Sequence, residues 1–441
     1  MLMSKLKVKF ALAIGWTIIW FFISFYFAII WVSDVEKYTG HTLAWIMVIG
    51  VAIIPGLAMS FINLSLLFDK RPKFDYSTTS YPPISIIIAA YNEEETIQLT
   101  LRSILEQHYQ NDITIYVAND GSIDRTIDKV NEYLEDDLYK SKYDVNIILI
   151  SSDENVGKAN ILNKALIHVK DDYVLTIDAD SMLYKNALQD IVTHIVNRKE
   201  KYAAVAGTVL CNNGDVNFMT KIQEWDYYLG IASVKRIQSM CKATLVAQGA
   251  FSIYRKSVLD EIGGWPDTIG EDIVLTWKMH DLGYNVSYTE DAICYTNVPE
   301  TYKIFFKQRR RWSRGLVEAF RNHHKLLFKW RMSTIFIWYN LMFPYIDIAF
   351  ITVLLPGVIM AIFFNFYLLA SKLTLYLLPM AFVGNLVMFF IQRSSLKKVD
   401  IKMGKNWLGL FVYMFFFQLI MTPATISGYI SEILKRKRIW K

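Results

Sequence analysis

Long apolar runs frame the chain, and an alternating middle separates them. Residues 10–32 and 43–68 are each long enough to cross a bilayer core, which takes about 20 residues. The first is too long for a signal-peptide core, and the second follows it closely. Lys5, Lys7 and Lys9 precede the first run, Lys70, Arg71 and Lys73 follow the second, and only Lys37 lies between them as a basic residue. The positive-inside rule places both flanks in the cytoplasm and the hairpin tip outside. Apolar runs return at about 334–370, 373–391 and 407–432, with Pro344 and Pro356 interrupting the first. Basic residues at 393–405 and in the Lys435-Arg436-Lys437-Arg438 tail both belong in the cytoplasm. One crossing between them cannot satisfy both, so either the last segment is re-entrant or the loop is external.

Between residues 74 and about 300 the pattern changes. Strands are predicted at 84–90, 113–118, 145–151, 173–177 and 203–209, with helical periodicity at 93–107, 123–134, 157–169 and 185–197. A further strand-like stretch ends at 246–251. Strands alternating with helices read as βαβ units around a mainly parallel sheet, and ligands of such sheets sit at the carboxyl ends of the strands. The predicted layout is two membrane helices (1–75), a cytoplasmic α/β domain (76–298), interfacial helices (299–333) and C-terminal membrane helices (334–441).

Composition fits this picture. Hydrophobic residues make up 53% of the 441, yet charged residues reach 20%, so a soluble part of some size accompanies the spans. The net charge of +6 matters less than its placement. Ten Lys/Arg and a single acid, Glu318, fall between 303 and 331 among Phe305, Phe306, Trp312 and Phe320, as in amphipathic helices on a lipid surface. That aromatic content beside spans argues against nucleic-acid binding. Cys211, Cys241 and Cys294 have no CxxC or Cys/His spacing, so structural zinc and a disulfide framework are not expected. Any metal must be held by carboxylates.

Carboxylates cluster at the predicted strand ends. Tyr91-Asn92-Glu93-Glu94 closes the first strand, where the acids either cap a helix or touch a nucleotide. Asn119-Asp120-Gly121-Ser122 is either turn chemistry or a second nucleotide contact. Asp178-Ala179-Asp180 directs two oxygen donors toward one place, as Mg2+ or Mn2+ beside a diphosphate requires. Glu271-Asp272 opens a helix, where the acids either suit the dipole or supply a general base. Lys158 is a nucleotide contact or a surface residue, and Gly249 after Gln248 permits close approach of an acceptor. In Gln308-Arg309-Arg310-Arg311-Trp312, an interfacial helix accounts for Arg309 and Arg310. Arg311 and Trp312 fit a phosphate fork and a flat wall for a sugar.

In this order, Asp120, Asp178-x-Asp180, Glu271-Asp272 and Gln308-x-x-Arg311-Trp312 resemble the motifs of family 2 processive glycosyltransferases: the cellulose, chitin, hyaluronan and poly-N-acetylglucosamine synthases. The resemblance covers residues 80–320 and their membrane flanks. Val298-Pro299-Glu300-Thr301 and the Glu271-Asp272-Ile273-Val274 run are most similar to the bacterial poly-β-1,6-N-acetylglucosamine synthases. It implies a GT-A domain inserted between membrane helices, a UDP-sugar donor, Mg2+ or Mn2+, and inversion to a β linkage. By motif, Asp120 and Asp178 contact the nucleotide and Asp180 is the metal ligand, with Tyr91, Glu93 and Lys158 as further donor candidates. Asp272 is the base and Arg311 and Trp312 serve the diphosphate and the acceptor end, with Glu271, Gln248, Gly249 and Gln308 as further site candidates. It further implies a bacterial cytoplasmic membrane location, a growing polysaccharide as acceptor and a small accessory membrane subunit. Two departures stand out: Gly270 replaces the family's Thr before Glu-Asp, and Gln248-Gly249 replaces Ser-Gly. A hyaluronan- or chitin-type synthase, transfer of one sugar to a lipid carrier, and a non-catalytic receptor are the alternatives.

Overall fold

The computed structural model describes residues 2–69, 80–135, 145–198, 201–367, 372–401, 403 and 406–436. Lys70, Arg71, Lys73, Lys402, Lys405, Lys437 and Arg438 lie outside them. Helix α1 (Leu2–Thr39) turns at Gly40 into α2 (His41–Leu67). Gly40 has φ +80°, a conformation glycine adopts without a Cβ penalty. Both helices are long and apolar enough to cross a membrane, as are the later Ser333–Phe364 and Trp407–Ile433. The protein is a multi-pass membrane protein, and its α/β domain lies on the cytoplasmic side. Pro55 and Pro356 each follow one π turn, Ile49–Ile53 and Phe350–Leu354. Proline lacks the N–H that the preceding turn needs, and a widened turn relieves the loss.

The domain between the helices is built on one eight-stranded sheet, ordered β3-β2-β1-β4-β7-β6-β8-β5. Its strands are β1 (Ile84–Ala90), β2 (Ile113–Asp120), β3 (Asn146–Ser152), β4 (Tyr173–Asp178), β5 (Ser181–Leu183), β6 (Tyr202–Cys211), β7 (Phe251–Arg255) and β8 (Asn285–Thr296). The half β3-β2-β1-β4 is parallel throughout, with α3 (Ile97–Leu105), α4 (Thr126–Glu135) and α5 (Lys158–Leu166) as crossovers. The other half is mixed, since β7 runs antiparallel to both β4 and β6. β1 shows why a continuous apolar run suits the centre: Ile86 and Ile88 enter the core on one face, Ile87 on the other. Full burial of each is worth roughly 1.5–3 kcal/mol.

The stretch 246–251 departs from expectation. Residues 243–250 form no strand, and β7 begins only at Phe251. Their amides are satisfied elsewhere: Leu245 N donates to Gln238 Oε1 and Ala247 N to Thr276 Oγ1, leaving no ladder to build.

Further helices follow: α6 (Ala187–Val196) against the sheet, then α7 (Phe218–Trp225) and α8 (Ala232–Met240), joined through a π turn at Asp226–Ile231. After α9 (Lys256–Ile262) and α10 (Glu271–Asp281) comes α11 (Tyr302–His323), which carries the Gln-x-x-Arg-Trp motif. α12 (Ser333–Phe364), α13 (Lys372–Lys397) and α14 (Trp407–Ile433) complete the chain. α14 packs along α11, and both its ends rest on the cytoplasmic domain. Trp225 Nε1 donates to Asn406 O at 2.9 Å, and Glu432 pairs with Arg314 and Arg321 at 3.0 and 2.9 Å.

Candidate active site

The first two strand ends brace one another. Asn92, at φ +56°, donates its amide to Ser122 Oγ and accepts from Ile123 N at 2.9 Å. Glu93 accepts from Thr96 Oγ1 at 2.9 Å, and Glu94 from Arg125 N at 2.9 Å. These acids therefore serve the start of α3 and the crossing loop. Tyr91 lies half-buried beside them at the end of β1. Asp120 is buried, and its two oxygens accept Val156 N (2.7 Å) and Gly157 N (3.1 Å). Burial raises its pKa against those two bonds. It thereby fixes the loop that presents Lys158.

Lys158 reaches across the sheet end. Its Nζ bonds Asp178 Oδ1 and lies 3.7 Å from Glu271 Oε1. Burial opposes its charge, but Asp178 and Glu271 together outweigh burial and raise its pKa. Glu271 is pushed up to about 7, first by burial and then by Asp272, against Lys158 and Arg311. Asp180 is pushed up to about 6 by burial and by Asp178, while Ser181 Oγ and Thr296 Oγ1 donate to it at 3.1 and 3.2 Å. A Cβ at Gly249 would lie 2.8 Å from Lys158 Nζ, so glycine leaves the room this lysine needs.

Helix α11 closes the site, and here Arg309 differs from the interfacial residue expected. Its guanidinium is 4% exposed and pairs with Asp226 at 2.7 Å. It stacks 4.2 Å from the Trp312 ring centre, with Phe305 and Phe417 at 5.0 and 5.8 Å. Cation–π contact and a buried partner replace water for this charge. Arg311 and Trp312 are exposed toward the cavity, and Gln308 Oε1 is buried without a hydrogen-bond partner among the described residues. Glu318, the lone acid of the basic stretch, is buried and accepts both Ile269 N (2.8 Å) and Gly270 N (3.1 Å). A Cβ at Gly270 would lie 2.6 Å from Gly315 Cα, so the two glycines let α11 touch the loop that starts α10. The departure from Thr at 270 thus has a steric cause.

Gln248 is held on both sides, donating to Gly207 O at 3.0 Å and accepting from Lys235 Nζ. Lys235 also donates to Val246 O at 3.0 Å. Burial lowers its pKa to about 7, partly opposed by Asp272.

A cavity of about 940 Å³ gathers ten of the thirteen sequence-predicted residues: Lys158, Asp178, Asp180, Gln248, Gly249, Glu271, Asp272, Gln308, Arg311 and Trp312. Tyr91, Glu93 and Asp120 do not line it. It continues past Trp312 between the membrane helices, to Asn340, Asp347 and Gln418. Sequence reasoning missed Lys235, Asp226 and the grip of Glu318. Only Glu318 carried a signal, as one acid among ten basic residues. Among the described residues no group of three or more His, Cys, Asp or Glu could hold a metal by itself. Asp178 and Asp180 fit an ion that takes one or two carboxylates plus diphosphate and water, and burial together with Asp178 already raises the pKa of Asp180.

A mixed sheet with acids at its strand ends, between membrane helices, is a GT-A type sugar-transferase architecture. The chain belongs to the family described as glycosyltransferase like family 2, whose profile matches residues 82–315. It is 32% identical over 263 residues to the poly-beta-1,6-N-acetyl-D-glucosamine synthase of Staphylococcus aureus (strain COL), covering 59% of this chain and 61% of that one. It is 34% identical over 233 residues to the Staphylococcus epidermidis enzyme of that name, covering 53% and 54%. The alignments thus span little more than half the length of these relatives. In fold it is similar to a mannosyltransferase from Pyrobaculum calidifontis solved with GDP-Man and Mn2+, with a TM-score of 0.59 at 18% identity over 93% of this chain and 99% of that one.

Proposed function

We propose that this chain is a processive, inverting glycosyltransferase. It polymerises N-acetylglucosamine from UDP-N-acetylglucosamine into a β-linked polysaccharide of the poly-β-1,6 type and passes the product across the membrane. The observation that carries this reading is the single cavity running from the acids of the sheet to the membrane helices. A polymerase that keeps hold of its product needs such a path, whereas transfer of a single sugar does not. The Staphylococcus relatives and the Gln-x-x-Arg-Trp motif support the same choice.

Asp272 is the base. It takes the acceptor hydroxyl's proton as that oxygen bonds to the donor's anomeric carbon, and the bond from that carbon to the diphosphate breaks, its electron pair leaving with UDP. Asp178 and Glu271 beside it hold the Lys158 charge against burial, so Lys158 stays charged facing the diphosphate. Arg311 adds a second cation there, and Trp312 and Gln308 receive the acceptor sugar. Asp178 and Asp180 would hold Mg2+ or Mn2+, which when bound neutralises charge on the diphosphate. Catalysis takes place at the cytoplasmic face of a bacterial membrane, with a small membrane subunit as the expected partner.

The test is a donor panel. Purified protein in detergent with Mg2+ is given UDP-N-acetylglucosamine, UDP-glucose and UDP-glucuronate, and linkage analysis follows. UDP release with β-1,6-linked product from the first donor alone supports the reading, and activity that survives EDTA undiminished removes the metal from it. Release from another donor only would change the sugar.

A further inference from the structure

The membrane half of the cavity has one charged lining residue among those described, Asp347 on α12. Its neighbours there are neutral polar or apolar, including Asn340, Asn385 and Gln418. Asp347 is 5% exposed. Gln418 Nε2 and Thr425 Oγ1 donate to it at 2.8 Å, and Tyr429 OH at 3.1 Å, all from α14. Among the described residues, no lysine or arginine of the four membrane helices lines the cavity. An ionisable residue placed among membrane helices marks a pathway more often than it serves packing.

We propose that this half of the cavity is a passage selective for uncharged or amino-bearing sugar chains, with Asp347 as its selectivity residue. The proposal rests on the polymerase reading and adds the charge class of the product. Three neutral donors hold the carboxylate, which has about four acceptor sites, so at least one remains for a sugar hydroxyl or an ammonium. A chain carrying uronates would enter a weakly polar region with no cation among the described residues to pair it, and burying an unpaired carboxylate is costly. Asp347 adds like-charge repulsion. Neutral hexosamine units need only hydrogen bonds, which Asn340, Asn385 and Gln418 can supply, and a deacetylated unit gains an ion pair with Asp347.

The experiment measures binding of three oligosaccharides of equal length to the full-length protein in detergent. One is neutral N-acetylglucosamine, one partly deacetylated and one alternates N-acetylglucosamine with glucuronate. The readout is the affinity ratio within one preparation, which partial misfolding leaves unchanged. The parent should bind the glucuronate probe at least about tenfold more weakly than the neutral one, a factor equal to about 1.4 kcal/mol. It should bind the deacetylated probe as tightly or more so. Asp347→Asn should narrow the gap, and Asp347→Lys should reverse it. Equal affinity of the parent for all three, or an unaltered ratio in Asp347→Lys, overturns the proposal. Binding of none refutes both this and the polymerase reading. The expected selectivity without any polymer formed refutes the polymerase reading alone.

Discussion

Asp226 and Arg309 form the buried pair on which the Trp312 side of the cavity depends. Asp226→Asn keeps the size and removes the charge, which strands a guanidinium that is 4% exposed. Breaking one partner of a buried pair costs about 3–5 kcal/mol. The three rings around Arg309 survive the change and still stabilise its charge, so the lower end, about 3 kcal/mol, applies. That is more than about 100-fold in the population of correctly placed Trp312. Initial rates of UDP release should fall accordingly, with a lower unfolding midpoint. The decisive variant combines Asp226→Asn with Arg309→Met. Replacing both charges is far less costly than stranding one, so the double variant should recover at least about tenfold over Asp226→Asn. Strictly additive losses would refute the pairing.

Three further predictions concern the same site. Gly270→Ala places a Cβ 2.6 Å from the backbone of Gly315 and must part α11 from the start of α10, so UDP release should collapse while Gly263→Ala, in open space, chiefly costs local backbone strain; comparable losses in both would sink the contact argument. Asp272→Asn should lower turnover by about 10²–10⁴-fold with little change in donor KM, and near-normal turnover would remove Asp272 as base. Lys235 has a folded pKa lowered to about 7 by burial. The unfolded chain therefore binds the extra proton between about pH 7 and the ordinary lysine range, and stability rises with pH there by up to about 1.4 kcal/mol per unit. Lys235→Met should flatten the rise in unfolding midpoint from pH 7 to 9, and parallel curves for variant and parent would contradict it. Glu271, raised to about 7, acts in the opposite sense below that window, so the two do not overlap.

Local pattern carried the parallel half of the sheet. The run at 84–90 became β1 at the expected residues because a strand buried on both faces needs an unbroken apolar run. The stretch at 246–251 failed for the opposite reason. Its apolar residues serve a loop whose amides are taken by Thr276 and Gln238, partners that periodicity cannot reveal. The site followed the same division. Lys158, Asp178 and Glu271 were legible because each sits at the end or start of a predicted element. Arg309 was not, because its partner Asp226 lies on a distant π turn, and a sequence shows only that an arginine stands among other arginines. The resemblance found the motif but not the glycine contact beneath it: Gly270 and Gly315 make sense only once α11 is seen against that loop.

The most direct test of the central claim is the length distribution of product at early times, with acceptor oligosaccharide in large excess over enzyme. A chain held in one cavity from the acids to the membrane helices is extended many times before release. Long polymer should therefore appear while most acceptor is still unextended, and Trp312→Ala should shorten it. Even growth of all acceptors by one sugar at a time, with no long product, would contradict that claim.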